Sequence, residues 1–374
     1  MTSSATSVVQ ATNRRRRLAL LLPGHNEELI IAATIRSAVV AGLDIQDIYV
    51  VDDCSSDNTA VEAHRLLPST NVLSVGRSGK ALAVQKAIKH FDIENRYVWV
   101  HIADADSVFG ANYFRIFKQK LQAKKYALAI GFVQSQRGNW ISKYRTFSYT
   151  YGQQVHRRIQ AKIGAISVFP GPVTCFRTDI IKELDFTVDS LTEDFDLTLQ
   201  FHRKKLGKIR YIPKAVNFTQ DPQTYRDFSK QTLRWQRGFF QGMLRHRIGT
   251  KAHILDAYVG YQILQTFLYL MQLLVAIPYL SFTTHNPWLL PTALALNFAV
   301  MSLIAVGAAA VVKRPSILLG LPGFYLLSMT ELALYFWAYL EVVAFRRFRK
   351  KVVGWDTEGR RYALNAQALQ DTAA

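Results

Sequence analysis

Residues 257–312 contain no Asp, Glu, Lys or Arg. That run is far longer than the roughly 20 residues a helix needs to cross a bilayer core, so it must hold two segments. Asn286, Pro287 and Pro291 divide it, which predicts helices at about 257–282 and 289–312 joined by a short turn. Lys313-Arg314-Pro315 stops the second, and a third apolar segment runs over 317–345 to the basic cluster Arg346-Arg347-Phe348-Arg349-Lys350-Lys351. Three membrane segments are expected. Buried helices of soluble domains seldom exceed about 14 residues without a polar face, so a soluble core is the poorer reading. Glu331 in the third segment reads as an acid paired within the helix bundle rather than as part of an ion pathway.

Three crossings would place the 346–351 cluster outside, against the tendency of Lys and Arg to stay on the cytosolic side. Pro322-Gly323 offers a break at which the third segment becomes re-entrant or interfacial and returns the tail. The front of the chain is expected in the cytosol. Its apolar run 18–22 is cut short by Pro23-Gly24, whereas a signal peptide needs an apolar region of about 7–15 residues. The chain holds 46 Lys+Arg against 27 Asp+Glu, a net charge of +19, and this calls for an acidic partner. The basic residues gather beside the membrane segments, so an anionic lipid bilayer explains them better than nucleic acid does. Two cysteines, Cys54 and Cys175, without a CxxC pair exclude a disulfide framework and a zinc cluster.

Over 18–130, β-rich runs at 18–22, 48–51, 71–74, 97–102 and 127–131 alternate with helical patterns near 28–41, 59–67, 81–90 and 112–124. Such alternation predicts an α/β domain with a parallel sheet whose ligand sites lie at the carboxyl ends of the strands. Asp52-Asp53 and Asp104-Ala105-Asp106 fall directly after two of these strands, so both clusters are expected to open onto one crevice. Asp-x-Asp in a turn leaving a strand can aim two carboxylates at a hard divalent ion or at sugar hydroxyls; in isolation it is also ordinary turn chemistry. Thr192-Glu193-Asp194 precedes a helical pattern over 195–206, with Thr192 at the N-cap position. Glu193 and Asp194 suit the helix dipole there, and Asp194 in a dry site is a candidate general base. Gln231, Arg234 and Trp235 share one face of a helix. An Arg fork suits a departing diphosphate and an indole suits a sugar ring, while the same helix fits a lipid interface.

These four groups, in this order and followed by membrane helices, resemble the processive family 2 glycosyltransferases, which include hyaluronan, chitin, cellulose and poly-N-acetylglucosamine synthases. The resemblance implies a GT-A nucleotide-sugar-binding domain followed by a C-terminal α-helical transmembrane region. It further implies a nucleotide-sugar donor, UDP-N-acetylglucosamine first among UDP-sugars, with Mg²⁺ or Mn²⁺ and inversion at the anomeric carbon. Carried onto this chain, Pro23, Asn26, Glu27, Asp52, Asp53, Lys80 and Asp104 would bind the donor and Asp106 the metal. Asp194 would be the base with Glu193 beside it, and Arg234, also counted as catalytic, would join Gln231, Trp235 and Gly171 around acceptor and diphosphate. The run 169–177 is similar to the loop framing the acceptor sugar in these synthases, or is a Pro/Gly turn entering a helix. Residues 353–360 loosely resemble the Trp-containing gating segment of hyaluronan synthases. The acceptor would be the hydroxyl of a growing polysaccharide, or alternatively a polyprenyl-phosphate or ceramide-like lipid receiving one sugar. The expected organisation is a basic tail over 1–17, a cytosolic catalytic domain over 18–225, an amphipathic segment over 226–256, a transmembrane region over 257–345 and a basic tail over 346–374.

Overall fold

The computed structural model describes residues 18–121, 126–186 and 190–346. The basic run 14–17, the gating-like run 353–360 and the basic cluster beyond Arg346 lie outside them.

Among the described residues, eight strands form one mixed sheet: β1 (Leu18–Gly24), β2 (Ile48–Asp53), β3 (Val72–Val75), β4 (Trp99–Ile102), β5 (Val108–Phe109), β6 (Leu128–Ser135), β7 (Thr174–Arg177) and β8 (Ile209–Thr219), in the order β3-β2-β1-β4-β7-β6-β8-β5. β1 is apolar throughout because both of its faces are covered. Leu18, Leu20 and Leu22 point into a core built on helices Ile31–Val40 and Tyr113–Lys120. Ala19 and Leu21 point to the other side, into a core that includes Val84 and Ile88 of helix Lys80–His90. This two-residue alternation puts half of each central strand into each layer, and each fully buried Leu contributes about 1.5–3 kcal/mol.

The parallel reading holds for β3-β2-β1-β4 and for β6 with β8. It fails at β7, which pairs antiparallel with both β4 and β6, and at β5, antiparallel to β8. Charged and Pro-containing sequence masked β8 (IRYIPKAVNFT), which lies toward the sheet edge where such residues are tolerated. The Pro/Gly run before residue 174 forms a short 3₁₀ turn, Gly171–Val173, and leads into β7 rather than into a helix.

Among the described residues, three helices are long and apolar enough to cross a membrane: Ile254–Thr283, Leu289–Val311 and Pro315–Ala344. The first starts three residues earlier than the charge-free run because His253 Nδ1 accepts from the Leu255 amide. A π-turn at Gln272–Ala276 precedes Pro278, where the ring removes a ladder hydrogen bond.

Candidate active site

In the order β3-β2-β1-β4 the chain moves to opposite sides of β1, and a crevice opens where the direction switches. Pro23 at the end of β1 and Asp104 after β4 line a cavity of about 950 Å³ at this point. Glu27, Lys80, Asp106, Gly171, Glu193, Asp194, Gln231, Arg234 and Trp235 line it as well. Segments spread over more than half of the chain thus meet on one void.

Asn26, Asp52 and Asp53 do not line this cavity, so the two acidic clusters do not both open onto it. Asp53, fully buried, accepts from the amides of Ser78 at 2.7 Å and Gly79 at 2.8 Å and from the Ser78 hydroxyl at 3.0 Å. A buried carboxylate must be satisfied, and this one fixes the turn from which helix Lys80–His90 starts. Gly79 sits there at φ +82°, a conformation that costs glycine little. Asp52 accepts from the hydroxyl and the amide of Ser55. The Ser55 hydroxyl in turn accepts from the Asn26 amide at 2.9 Å, and Asn26 Oδ1 accepts from the Ser56 amide at 2.8 Å. These residues lace the loops after β1 and β2 together behind the cavity.

Lys80 reaches into the cavity and bridges two of its acids, Asp104 and Glu193, the latter at 3.1 Å. Burial opposes its charge, but Asp104 and Glu193 outweigh burial and hold the ammonium well above the usual lysine range. Gly171 closes over this pair. A Cβ at that position would stand 3.0 Å from Lys80 Nζ and 3.2 Å from Asp104 Oδ2, so a side chain there would press on both groups by a few tenths of an ångström.

Helix Glu193–Arg203 begins after Thr192 as expected, but the Thr192 side chain makes no capping bond. Thr192 instead packs against Gly238 of helix Tyr225–Arg245, where any side chain would collide with it. That close approach lets Arg234 donate to the Leu191 carbonyl at 2.8 Å. Burial, then the neighbouring Glu193 charge, pushes the Asp194 carboxyl up to about 6. Burial acts on Glu193 too, but Lys80 and Arg234 overcome it and hold its carboxyl below the usual range. One acid is thereby kept charged while its neighbour is poised near neutrality, the division expected of an electrostatic partner and a base.

Asp106 and Asp104 offer hard carboxylate oxygens in a turn at the cavity wall. Among the described residues no cluster of three or more His, Cys, Asp or Glu could hold a metal ion. Two carboxylates without a protein cage fit an ion that completes its shell with water and ligand phosphates, as Mg²⁺ commonly does.

Arg145, buried on helix Trp140–Tyr151, carried no motif and was not expected at the site. Its guanidinium donates to Thr232 Oγ1 at 3.0 Å and to Gln231 Oε1 at 3.3 Å, and lies 4.7 Å from the Trp235 ring centre and 4.5 Å from that of Phe228. It also pairs with Glu331 at 2.9 Å, and Tyr144 donates to the same carboxylate at 2.8 Å. Glu331 is therefore paired, but with the catalytic unit rather than with another apolar helix; its presence in an apolar segment was the one sequence signal of a buried cation elsewhere. The cavity continues past the acids to Gln153, His156, Arg157 and Gln160, and to Gln262 on the first apolar helix, none of which the sequence marked.

Residues 99–313 match the model of the family described as "Glycosyl transferase family group 2". The poly-beta-1,6-N-acetyl-D-glucosamine synthase of Staphylococcus aureus (strain COL) is 26% identical over 239 residues, covering 62% of this chain and 57% of that protein. The synthase of the same name from Staphylococcus epidermidis is 27% identical over 235 residues, 61% of this chain and 56% of the relative. The match thus spans a little over half the length of these relatives. A solved structure of the mannosyltransferase PcManGT from Pyrobaculum calidifontis, in complex with GDP-Man and Mn²⁺, shares the fold with a TM-score of 0.50 at 16% identity, over 90% of this chain and 94% of that one.

Proposed function

The chain belongs to glycosyl transferase family group 2, and from that premise we propose that it transfers a sugar from a nucleotide-sugar donor, UDP-N-acetylglucosamine or a related UDP-sugar, to the hydroxyl of a growing polysaccharide, with inversion. The observation that carries this reading is the convergence of Lys80, Asp104, Asp106, Glu193, Asp194 and Arg234 on one cavity. The acceptor oxygen forms a bond to the anomeric carbon as the bond from that carbon to the diphosphate oxygen breaks. Asp194 takes the hydroxyl proton, and the electron pair of the broken bond leaves with the nucleoside diphosphate. Arg234 and Lys80 offset the charge that grows on the leaving group, the kind of stabilisation that contributes several kcal/mol. Asp106, with Asp104, would hold Mg²⁺ or Mn²⁺ against the diphosphate, where such an ion supplies Lewis-acid neutralisation. Trp235 offers a flat face to an acceptor sugar. The setting is a multi-pass membrane protein of the cell membrane with its catalytic domain in the cytoplasm, supported by the apolar helices and the basic residues that flank them.

A second acceptor, a lipid receiving a single sugar, draws support from Gln262, which brings the first apolar helix to the cavity wall. Membranes containing the full chain, incubated with a panel of labelled nucleotide sugars and followed by sizing of the product, test both. A product that lengthens with time supports the polysaccharide, one that stops at a single addition to lipid supports the second acceptor, and transfer from none of the donors overturns the proposal.

A further inference from the structure

The helix Pro315–Ala344 has the length and composition of a membrane span, yet it touches the catalytic unit from one end to the other. Near its start, any side chain at Gly323 would strike the Trp140 ring, and one at Gly320 would stand 3.2 Å from Lys143 Cβ. In its middle, Tyr225 and Thr330 share a hydrogen bond of 2.8 Å, and Glu331 receives Tyr144 and Arg145. Near its end, Glu341 accepts both Nε and Nη2 of Arg237 at 2.7 and 2.8 Å, while Phe240 packs on Tyr335 and Tyr339.

The partners advance together, from Tyr225 with Thr330 to Arg237 with Glu341, so the two helices run parallel, side by side, over about 17 Å. The partner helix Tyr225–Arg245 carries Arg226, Asp227, Lys230, Arg234, Arg237 and Arg245. A charge on every turn from Arg226 to Arg237, the stretch that runs beside Thr330–Glu341, excludes hydrocarbon depth for that stretch. A helix that stays beside it cannot descend through the bilayer while doing so. The face turned away from the catalytic unit presents Leu319, Leu326, Phe336 and Trp337 to the outside, apolar side chains that acyl chains can cover, with an indole of the kind found at headgroup level. The junction ahead of this helix is also held at the catalytic unit, since Arg314 donates to the Ser135 carbonyl at 2.9 Å.

We propose that Pro315–Ala344 lies along the headgroup–acyl boundary of the leaflet facing the catalytic unit, so that between Ile254 and Ala344 the chain crosses the bilayer twice and not three times. Helices Ile254–Thr283 and Leu289–Val311 form the crossing hairpin, and the turn at His285 is its far end. The basic residues at 346–351 then stay on the catalytic side, where the distribution of Lys and Arg favours them.

Three single-thiol positions test this in sealed membrane vesicles of both orientations with a membrane-impermeant maleimide. Cys54 is exposed on the catalytic unit and marks its side, and Cys175 is buried. His285→Cys marks the far turn and Ala374→Cys the tail, each combined with Cys54→Asn, because residue 54 has φ +60° and Asn tolerates that conformation. The expected result is that Ala374→Cys reacts in the same vesicle orientation as wild-type Cys54, and His285→Cys in the opposite one. Reaction of Ala374→Cys together with His285→Cys overturns the proposal, as does reaction of all three in one orientation. The readout is independent of sugar transfer, so its failure and the failure of the proposed activity are separable.

Discussion

If Asp194 is the base that accepts the acceptor proton, sugar transfer carries an acid limb set by its raised carboxyl pKa. Burial and the Glu193 charge bring that group up to about 6, and only the ionised form takes a proton. With this value about nine in ten carboxyls are ionised at pH 7 and about one in ten at pH 5. The expected kcat/KM is therefore about tenfold lower at pH 5 than at pH 7, whereas an ordinary aspartate near 3.9 would lose less than about a tenth over that interval. Lys80 holds the Asp194 pKa down, so Lys80→Met is expected to move the limb to higher pH, whatever it does to the height of the plateau. The assay is initial-rate transfer of labelled sugar at subsaturating donor from pH 5 to 8, with enzyme held at pH 5 and returned to pH 7 to exclude inactivation. Asp194→Asn should abolish the limb and lower the rate by about 10²–10⁴ while donor binding persists. A profile flat down to pH 5, or a limb that stays in place in Lys80→Met, refutes the assignment.

Chelation by EDTA is expected to stop transfer, with recovery on adding Mg²⁺ or Mn²⁺, and Asp106→Asn should raise the metal concentration needed for half-maximal rate; rates indifferent to chelator would remove Asp106 from its proposed role. Gly171→Ala crowds Lys80 and Asp104 by a few tenths of an ångström, so kcat/KM should fall by about tenfold while the unfolding midpoint barely moves. Should the midpoint fall sharply instead, the glycine serves the fold rather than the site. Glu331→Leu strands the buried Arg145 guanidinium, at a cost of about 3–5 kcal/mol. Adding Arg145→Met should return part of that loss, and thermal unfolding of the detergent-solubilised chain in which the double variant equals the sum of the singles would deny the coupling.

Periodicity along the sequence determined a good deal of this protein by itself. The charge-free run dictated at least two membrane-length helices because a continuous apolar segment satisfies all its backbone bonds within itself only as a helix, and alternation in the first third set the strands β1 to β4, since apolar runs between helical patterns bury both faces. The spacing of Gln231, Arg234 and Trp235 placed them on one face, and they do line one wall. What the sequence left undecided depends on contacts between distant residues. β7 carries no signal of direction, and its antiparallel insertion between β4 and β6 follows from how the chain returns across the sheet. Asp52 and Asp53 read as cavity acids until the folded loops supplied Ser55, Ser78 and Gly79 as their donors. Arg145 has no local motif at all. Its importance arises because burying a guanidinium requires counter-charge and acceptors, and only the packed structure brings Glu331, Thr232, Gln231 and the Trp235 ring around it. Composition marks a helix as able to sit in lipid. Whether it crosses or lies flat is decided by what it touches along its length.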